Sequence, residues 1–434
     1  TWSRDRDPRV PLGHASLLAA LDDVEGLRVT SHVVPVNDGP PQIDALIAAI
    51  VASGHDRSAA DHDVAMGVYV WGERWVQQAI RLLRQSGFRG RIILGGPQIS
   101  YADARLEQLY PEADVFVRGA GEVALRALAR APGRSAIRGV HYAGEVDRVE
   151  QTPGELASLP SPILTGTVPL TAGLVRWETQ RGCPYRCSFC QHRTLGGDRP
   201  IPIDDARLSA EIVRLVEAEV PEIAVLDPTF NLGPRATDIL RTFRRLSYRG
   251  RLTLQCRAEL IDEPFLDAAA GLDVCIELGI QSIHPLETRA TARYNDLTKI
   301  ARALAGIRAR GIDHLATLIF GLPYQTLRSF EASVTWCLAQ RIPVIRAFPL
   351  MLLRGTGLEQ ERAKWGLVDT GGEMPVVVAS DTFSAEEGVR MDEISQALRR
   401  TEGHHPASLT ELLAHSVAAD AGRWRPLGHA ESVL

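Results

Sequence analysis

The chain has 434 residues, of which 45% are apolar and 23% charged, a globular balance that excludes a largely disordered protein. Its 48 Lys and Arg stand against 53 Asp and Glu, so the net charge of −5 argues against a nucleic-acid partner. No apolar run reaches the roughly 18 residues of a membrane span, and no basic-then-apolar leader is read at the start, so a cytoplasmic protein of two or three domains is expected.

The first patterned region runs to about residue 130. Leu17, Leu18 and Leu21 predict a helix after Pro11, and Leu27–Val36 reads as a strand. Helical spacing returns at Ile43–Val51. Asp63–Trp71 is a short Val-rich run, read as a buried strand, and Trp75–Gln85 is helical. Arg91–Leu94 is a strand that stops at Gly95-Gly96-Pro97. A helix over Ala104–Leu109, a strand over Asp114–Val117 and a helix over Glu122–Ala129 follow. Strands alternating with helices imply a parallel sheet covered on both faces, with any ligand beyond the strands' carboxyl ends. No G-x-G-x-x-G opens the first helix, so a dinucleotide fold is not supported. The glycines follow later strands instead, at Gly95-Gly96 and Gly119/Gly121. That pattern suits a flavodoxin-like nucleotide or tetrapyrrole binder, and equally suits tight strand-to-helix turns.

Residues 131–170, with Pro160, Pro162 and Pro169, read as a linker with room for a small hairpin. Six strand-then-helix units follow in 171–352. The strands are expected at Leu174–Glu178, Glu222–Leu226, Leu252–Cys256, Asp273–Leu278, His314–Phe320 and Val344–Pro349. Helices are expected over Ala206–Glu219, Ala236–Leu246, Leu297–Arg310 and Arg328–Gln340. Six units fall short of the eight that close a barrel, so an open (βα)₆ array is expected, reactive at the strand carboxyl ends. In the tail, 353–434, Ser384 and Glu387 fit a capping box. His404-His405 reads as solvated, and Trp75, Trp365 and Trp424 as packing.

Of six cysteines, three crowd into Cys183-Pro184-Tyr185-Arg186-Cys187-Ser188-Phe189-Cys190, directly after the first of these strands. This is too clustered for a disulfide scaffold. A closed zinc site would want a second pair of ligands, and Cys256, Cys275 and Cys337 stand alone, the first two read as core; His192 lies awkwardly close to Cys190. Three thiolates on one tight loop suit three irons of a 4Fe–4S cube and leave the fourth iron open.

The C-x₃-C-x₂-C stretch, with Phe189 before its last Cys, resembles the signature of the radical S-adenosylmethionine (SAM) superfamily. The expected six units match that family's partial barrel. The resemblance implies Cys183, Cys187 and Cys190 as cluster ligands, and SAM chelated at the open iron and cleaved to a 5′-deoxyadenosyl radical. It also implies SAM contacts at Phe189 and Gln191, at Asp227 after strand two, at Arg257 after strand three, at Glu277, Gln281 and Ser282 in the ELGIQS turn, and at Phe320 and Pro323 in the G-x-P-x-x-T turn. With the amino-terminal α/β region, the chain resembles the cobalamin-binding subclass. The implied cobalamin contacts are Tyr69, Val70, Trp71, Gly95, Gly96, Pro97, Gly119, Gly121 and Glu122. No D-x-H-x-x-G is present, so the lower cobalt face is expected to meet Val70, Trp71 or Gly72. The subclass pattern also expects a strand ahead of Pro11, so the natural chain is expected to begin earlier.

The expected fold is therefore an α/β protein: a flavodoxin- or Rossmann-like parallel sheet of the cobalamin-binding type, a partial (βα)₆ barrel and a small tail domain, with the tail closing the pocket. The expected function is a radical SAM C-methyltransferase acting on an unactivated carbon of a small molecule in natural-product biosynthesis, with flavodoxin or ferredoxin as electron donor. The alternative is the same cofactor pair catalysing cyclisation, ring contraction or rearrangement. A methylthiotransferase would want three more cysteines early on, and residues 1–182 contain none. A structural staple would leave the SAM-like turns unexplained.

Overall fold

The computed structural model describes residues 10–36, 40–53, 62–131, 133–154, 156–171, 173–192 and 199–415. Its framework is two sheets, met one after the other along the chain. The first has four strands, β1 (Val64–Gly67), β2 (Ile92–Gly95), β3 (Val115–Val117) and β4 (Val140–Tyr142), in that spatial order. β1, β2 and β3 run parallel, and β4 runs antiparallel to β3. Ile92–Leu94 and Val115–Val117 are buried throughout, as apolar runs covered on both faces should be.

Two expectations fail here. Leu27–Val36 forms no strand; it is extended, mostly exposed backbone, with Leu27 39% and Val29 47% accessible. Its apolar residues cover no sheet face, and no strand pairs with it among the described residues. The expected linker, in turn, contributes β4 rather than a hairpin. Val140 follows Gly139, whose φ of +80° turns the chain back against β3; an added Cβ there would sit 2.3 Å from the Thr152 nitrogen.

The second sheet holds β5 (Leu174–Trp177), β6 (Glu222–Val225), β7 (Arg251–Cys256), β8 (Asp273–Gln281), β9 (Asp313–Phe320) and β10 (Val344–Pro349). All six are parallel and neighbour one another in chain order. The crossovers are helices with identifiable starts. Asp204, Asp262 and Asp296 each accept a backbone N–H three residues on, opening helices at Asp205–Glu217, Glu263–Ala269 and Leu297–Ala309. Thr326 and Ser329 form a reciprocal cap for Leu327–Ala339, and the expected Ser384/Glu387 box opens Ala385–Arg400. Along β8 the residues alternate strictly, Val274, Ile276, Leu278 and Ile280 buried under the helices and Cys275, Glu277, Gly279 and Gln281 on the other face.

The helix Leu12–Leu21 packs onto the helix Gly121–Arg130, with Leu17 at 3.2 Å from where a Gly121 Cβ would stand. Its Leu12, Ala15 and Ala20 also join the apolar core that contains Val175 and Trp177 of β5. The tail is tied down as well. His405 accepts the Ile345 N–H through Nε2 at 2.9 Å, and its Nδ1 meets the Thr401 hydroxyl at 2.8 Å. It is therefore an anchor for the start of β10 rather than a solvated side chain. Burial pulls its pKa down to about 4, keeping the acceptor nitrogen bare. Among the described residues no helix is long and apolar enough to cross a membrane.

Candidate cluster and cofactor site

The Cys loop leaves β5 through Thr179 and Gln180, and Asp227, beyond the end of β6, fixes that exit. Its Oδ1 accepts the Thr179 N–H at 2.8 Å and the Gln180 N–H at 3.2 Å, and its Oδ2 takes the Thr179 hydroxyl. Gly182, at φ +93°, then turns the chain into Cys183. The far side of the loop rests on the turn after β8: Ser188 donates its N–H to the Thr291 carbonyl at 2.9 Å, and Leu358 donates to the Ser188 carbonyl at 2.9 Å.

The three thiols share one site. Burial pushes the Cys187 thiol up, against the pull of Arg293 and Arg257, and pushes Cys190 up to about 11. Each of these two also senses the charge of Cys183. The Cys190 sulfur accepts the His192 N–H at 3.4 Å, and the Cys183 sulfur lies 3.8 Å from Thr229 Oγ1. Among the described residues no three His, Cys, Asp or Glu side chains close in tightly enough to grip a single ion. A zinc ion draws its thiolates to ~2.3 Å of itself. Thiolates are the usual ligands of an iron–sulfur core, and they ligate once deprotonated.

Beside the loop lies a cationic cradle. The Arg257 guanidinium sits 4.0 Å above the Tyr185 ring and donates to the Tyr294 carbonyl at 2.7 Å and to Glu259 at 3.3 Å. Its backbone is held by Asn231 through two bonds of 2.9 Å. Arg293, 8% exposed, bonds the Gly279 carbonyl and the Cys187 sulfur, while its Nε has no partner. Gln281 adopts φ +66° at a bulge in β8, and its buried Oε1 is likewise unpartnered. An orphaned acceptor, an orphaned donor and two arginines beside three thiols fit an anionic cluster and a zwitterionic amino-acid ligand.

The remaining expected SAM residues divide. Glu277 lies in register with Gln255 and Leu315 on the half-buried face of the sheet, and its charge reaches Arg346. Phe189 packs against the core at the loop. Gln191 donates to the Arg354 carbonyl at 2.9 Å, and its own carbonyl takes the Tyr101 hydroxyl. Asp227, Ser282 and Phe320 face inward. Ser282 is fully buried, bonding Glu287 at 2.5 Å, and Phe320 packs against Phe330 with the rings tilted and 5.6 Å apart. Pro323 is buried in a turn whose Gly321 and Leu322 N–H groups are held by Gln325 Oε1. Thr326 serves as a helix cap.

In the first sheet, Tyr69 and Trp71 stack at 5.0 Å just past β1, with Val70 buried between them and Tyr69 38% exposed. Gly95, Gly96 and Pro97 end β2. The glycines at 96 and 119 answer to close packing of loops: a Cβ on Gly96 would meet the Val68 carbonyl at 2.8 Å, and one on Gly119 the Thr152 carbonyl at 2.6 Å. Gly121 yields to Leu17, as noted. Glu122 is buried and accepts Arg181 at 2.9 Å, so its carboxylate serves the joint between the sheets. The exposed aromatic pair beside the Gly95–Pro97 turn fits a broad, flat ligand. A hollow of ≈ 260 Å³ lined by Arg89, Arg91, Asp114 and Tyr142 sits at the other end of these strands, away from this chemistry.

Three residues decide the geometry without standing out in the sequence. Arg354 donates to Glu73 at 2.9 and 3.2 Å, to the Gln98 carbonyl at 2.8 Å and to Tyr110 at 3.3 Å, locking the segment after β10 onto the first sheet. Glu287, 1% exposed, accepts Ser282, Gln325 at 3.1 Å and Ser329, tying the turns after β8 and β9. Arg293 is the third. Each is an ordinary charge in the sequence; only the fold shows Glu287 and Arg293 buried and Arg354 half-buried in contact with the first unit.

Residues 177–337 match the radical SAM superfamily. The chain is 26% identical over 303 residues to the cobalamin-dependent radical SAM methyltransferase TokK of Streptomyces tokunonensis, covering 62% of this chain and 44% of that one. It is 30% identical over 305 residues to the 2-(S-pantetheinyl)-carbapenam-3-carboxylate methyltransferase of Streptantibioticus cattleyicolor, covering 63% and 44%. The chain thus spans under half the length of these two relatives. Its fold superposes with a TM-score of 0.66 on the radical SAM methyltransferase TsrM of Kitasatospora setae, solved with tryptophan substrate and a SAM analog, at 21% identity over 85% of this chain and 77% of that one. A second structure of that enzyme holds cobalamin and a [4Fe-4S] cluster. Residues 177–337 thus resemble a radical SAM domain, and the chain shares the fold of solved cobalamin-dependent radical SAM enzymes.

Proposed function

We propose that this protein is a cobalamin-dependent radical SAM C-methyltransferase that methylates an unactivated carbon of a small molecule in natural-product biosynthesis. The observation that carries this reading is the joint between the two sites. Arg181, two residues before Cys183, pairs at 2.9 Å with Glu122 of the helix that follows β3. Burial works against the Arg181 charge, but Glu178 and Glu122 more than offset it and hold the guanidinium protonated. Gln191, one residue after Cys190, is bridged to Tyr101. Both ends of the Cys loop are therefore tied to the first sheet, which a reaction passing between two cofactors requires.

When bound, the cluster and SAM supply one-electron chemistry for hydrogen abstraction, and cobalamin supplies the methyl group. Cys183, Cys187 and Cys190 hold the cluster. Arg257 and Gln281 orient SAM, and Tyr185, lying over Arg257, keeps water from that charge. Tyr69, Val70 and Trp71, with the turns at Gly95–Pro97 and Gly119, hold the corrin. The six-stranded sheet acts as a partial (βα)₆ barrel over 171–352, following an amino-terminal unit over 1–130 and a connector over 131–170. The segment from Leu353 onward closes its mouth. The protein works in the cytoplasm, where its free thiols stay reduced, with flavodoxin or ferredoxin as donor.

The test is anaerobic reconstitution with iron, sulfide and methylcobalamin, followed by incubation with SAM, a reductant and either tryptophan or a pantetheinyl carbapenam. Formation of both S-adenosylhomocysteine and 5′-deoxyadenosine on addition of a substrate supports methylation. 5′-Deoxyadenosine alone supports cyclisation or rearrangement. A protein that holds neither cofactor after desalting overturns the reading.

A further inference from the structure

Arg293 is a buried cation without an ordinary counter-ion. Its guanidinium bonds the Gly279 carbonyl and the Cys187 sulfur, and its Nε is unpartnered. Arg257, the nearest other cation, has Glu259 at 3.3 Å; among the described ion pairs Arg293 has no such carboxylate. Burying an unpaired guanidinium is costly, and both burial and the neighbouring Arg257 pull its pKa down. That cost is offset when an anion stands where the Cys187 thiol is.

We infer that Arg293 is a positioning residue that tunes the cluster: its charge and its bond to the Cys187 sulfur raise the reduction potential of the iron–sulfur centre. The physical reason is the sign of the change on reduction. The centre gains one electron from the donor and becomes more negative, and a fixed desolvated cation at a ligating sulfur stabilises that state more than the oxidised one. Arg293 touches a ligand, not the substrate, so its effect is on the potential. The inference rests on the cluster reading above.

The experiment compares reconstituted wild type, Arg293→Gln and Arg293→Lys by redox titration with mediators, followed by electron paramagnetic resonance of the reduced centre, with iron and sulfide counted in each. Arg293→Gln is expected to load fully and to shift the reduced-to-oxidised ratio at fixed ambient potential at least tenfold towards oxidised, a fall of 59 mV for one electron. Arg293→Lys keeps the charge but not the planar fork, and is expected to fall by less; it carries the test alone if Arg293→Gln does not fold. A fully loaded Arg293→Gln with the wild-type midpoint, or a folded variant that loads less iron, overturns the tuning role. A wild type that loads no cluster overturns the cluster reading instead.

Discussion

Asp227 shows how a single residue in this site balances opposing terms. It is fully buried, and burial pushes its carboxyl up to about 7, while the bonds from Thr179 and Gln180 pull the other way and Glu178 adds repulsion. The folded pKa thus lies above the ordinary aspartate value of 3.8. The folded state holds a proton that the unfolded chain has released, so this group's contribution is full at low pH and declines as pH rises from about 4 through about 7. Asp227→Asn is expected to remove that decline: wild type minus variant stability, from urea midpoints, should fall across this window. A pH-independent difference would contradict the assignment. The residue was legible in the sequence as a strand-end carboxylate, but its orientation was not. Alternation along β6 says which face a residue takes; it does not say that the next strand's backbone will consume the carboxylate.

At the scale of elements, buried polar hubs join turns that propensity alone would leave loose. Glu287→Ala leaves the Ser282 hydroxyl and one N–H of the Gln325 amide without their acceptor, in groups with almost no access to water. It is expected to cost about 2–4 kcal/mol, read as a lowered urea midpoint at unchanged slope. Arg354→Ala leaves Glu73 half-buried with only neutral partners, Gln98 and Tyr110. A loss of about 2–4 kcal/mol is expected, with earlier proteolytic cleavage between the two sheets. Equal proteolysis of variant and wild type would contradict the clamp. The strands and helices around these hubs were readable because most βα units combine an apolar run with an Asp, Thr or Ser cap, and such local signals survive without tertiary knowledge. Leu27–Val36 misled for the converse reason. Its apolar residues look like a strand, but a strand needs a neighbouring edge, and that information is non-local. β4 was hidden likewise, three residues whose pairing depends on β3.

Across the whole molecule, the Cys loop and the SAM-like turns gather at the carboxyl end of the second sheet, and the Tyr69–Trp71 pair marks the matching end of the first. The contacts of Arg181, Gln191 and Arg354 hold the two together. The three-cysteine spacing made the first site legible at once, because a short loop fixes its own ligand geometry. The second was harder to read, since Gly96 and Gly119 serve loop packing and Glu122 serves the joint. The central claim is that one chain holds both groups at once. It is tested most directly by counting iron, sulfide and cobalt in the same reconstituted, desalted sample, for wild type and for a Cys183/Cys187/Cys190→Ala variant. The account predicts ~4 irons and one cobalt per wild-type chain, and in the variant cobalt without iron, with circular dichroism unchanged. A wild type that holds iron without cobalt, or a variant that keeps its iron, would contradict it.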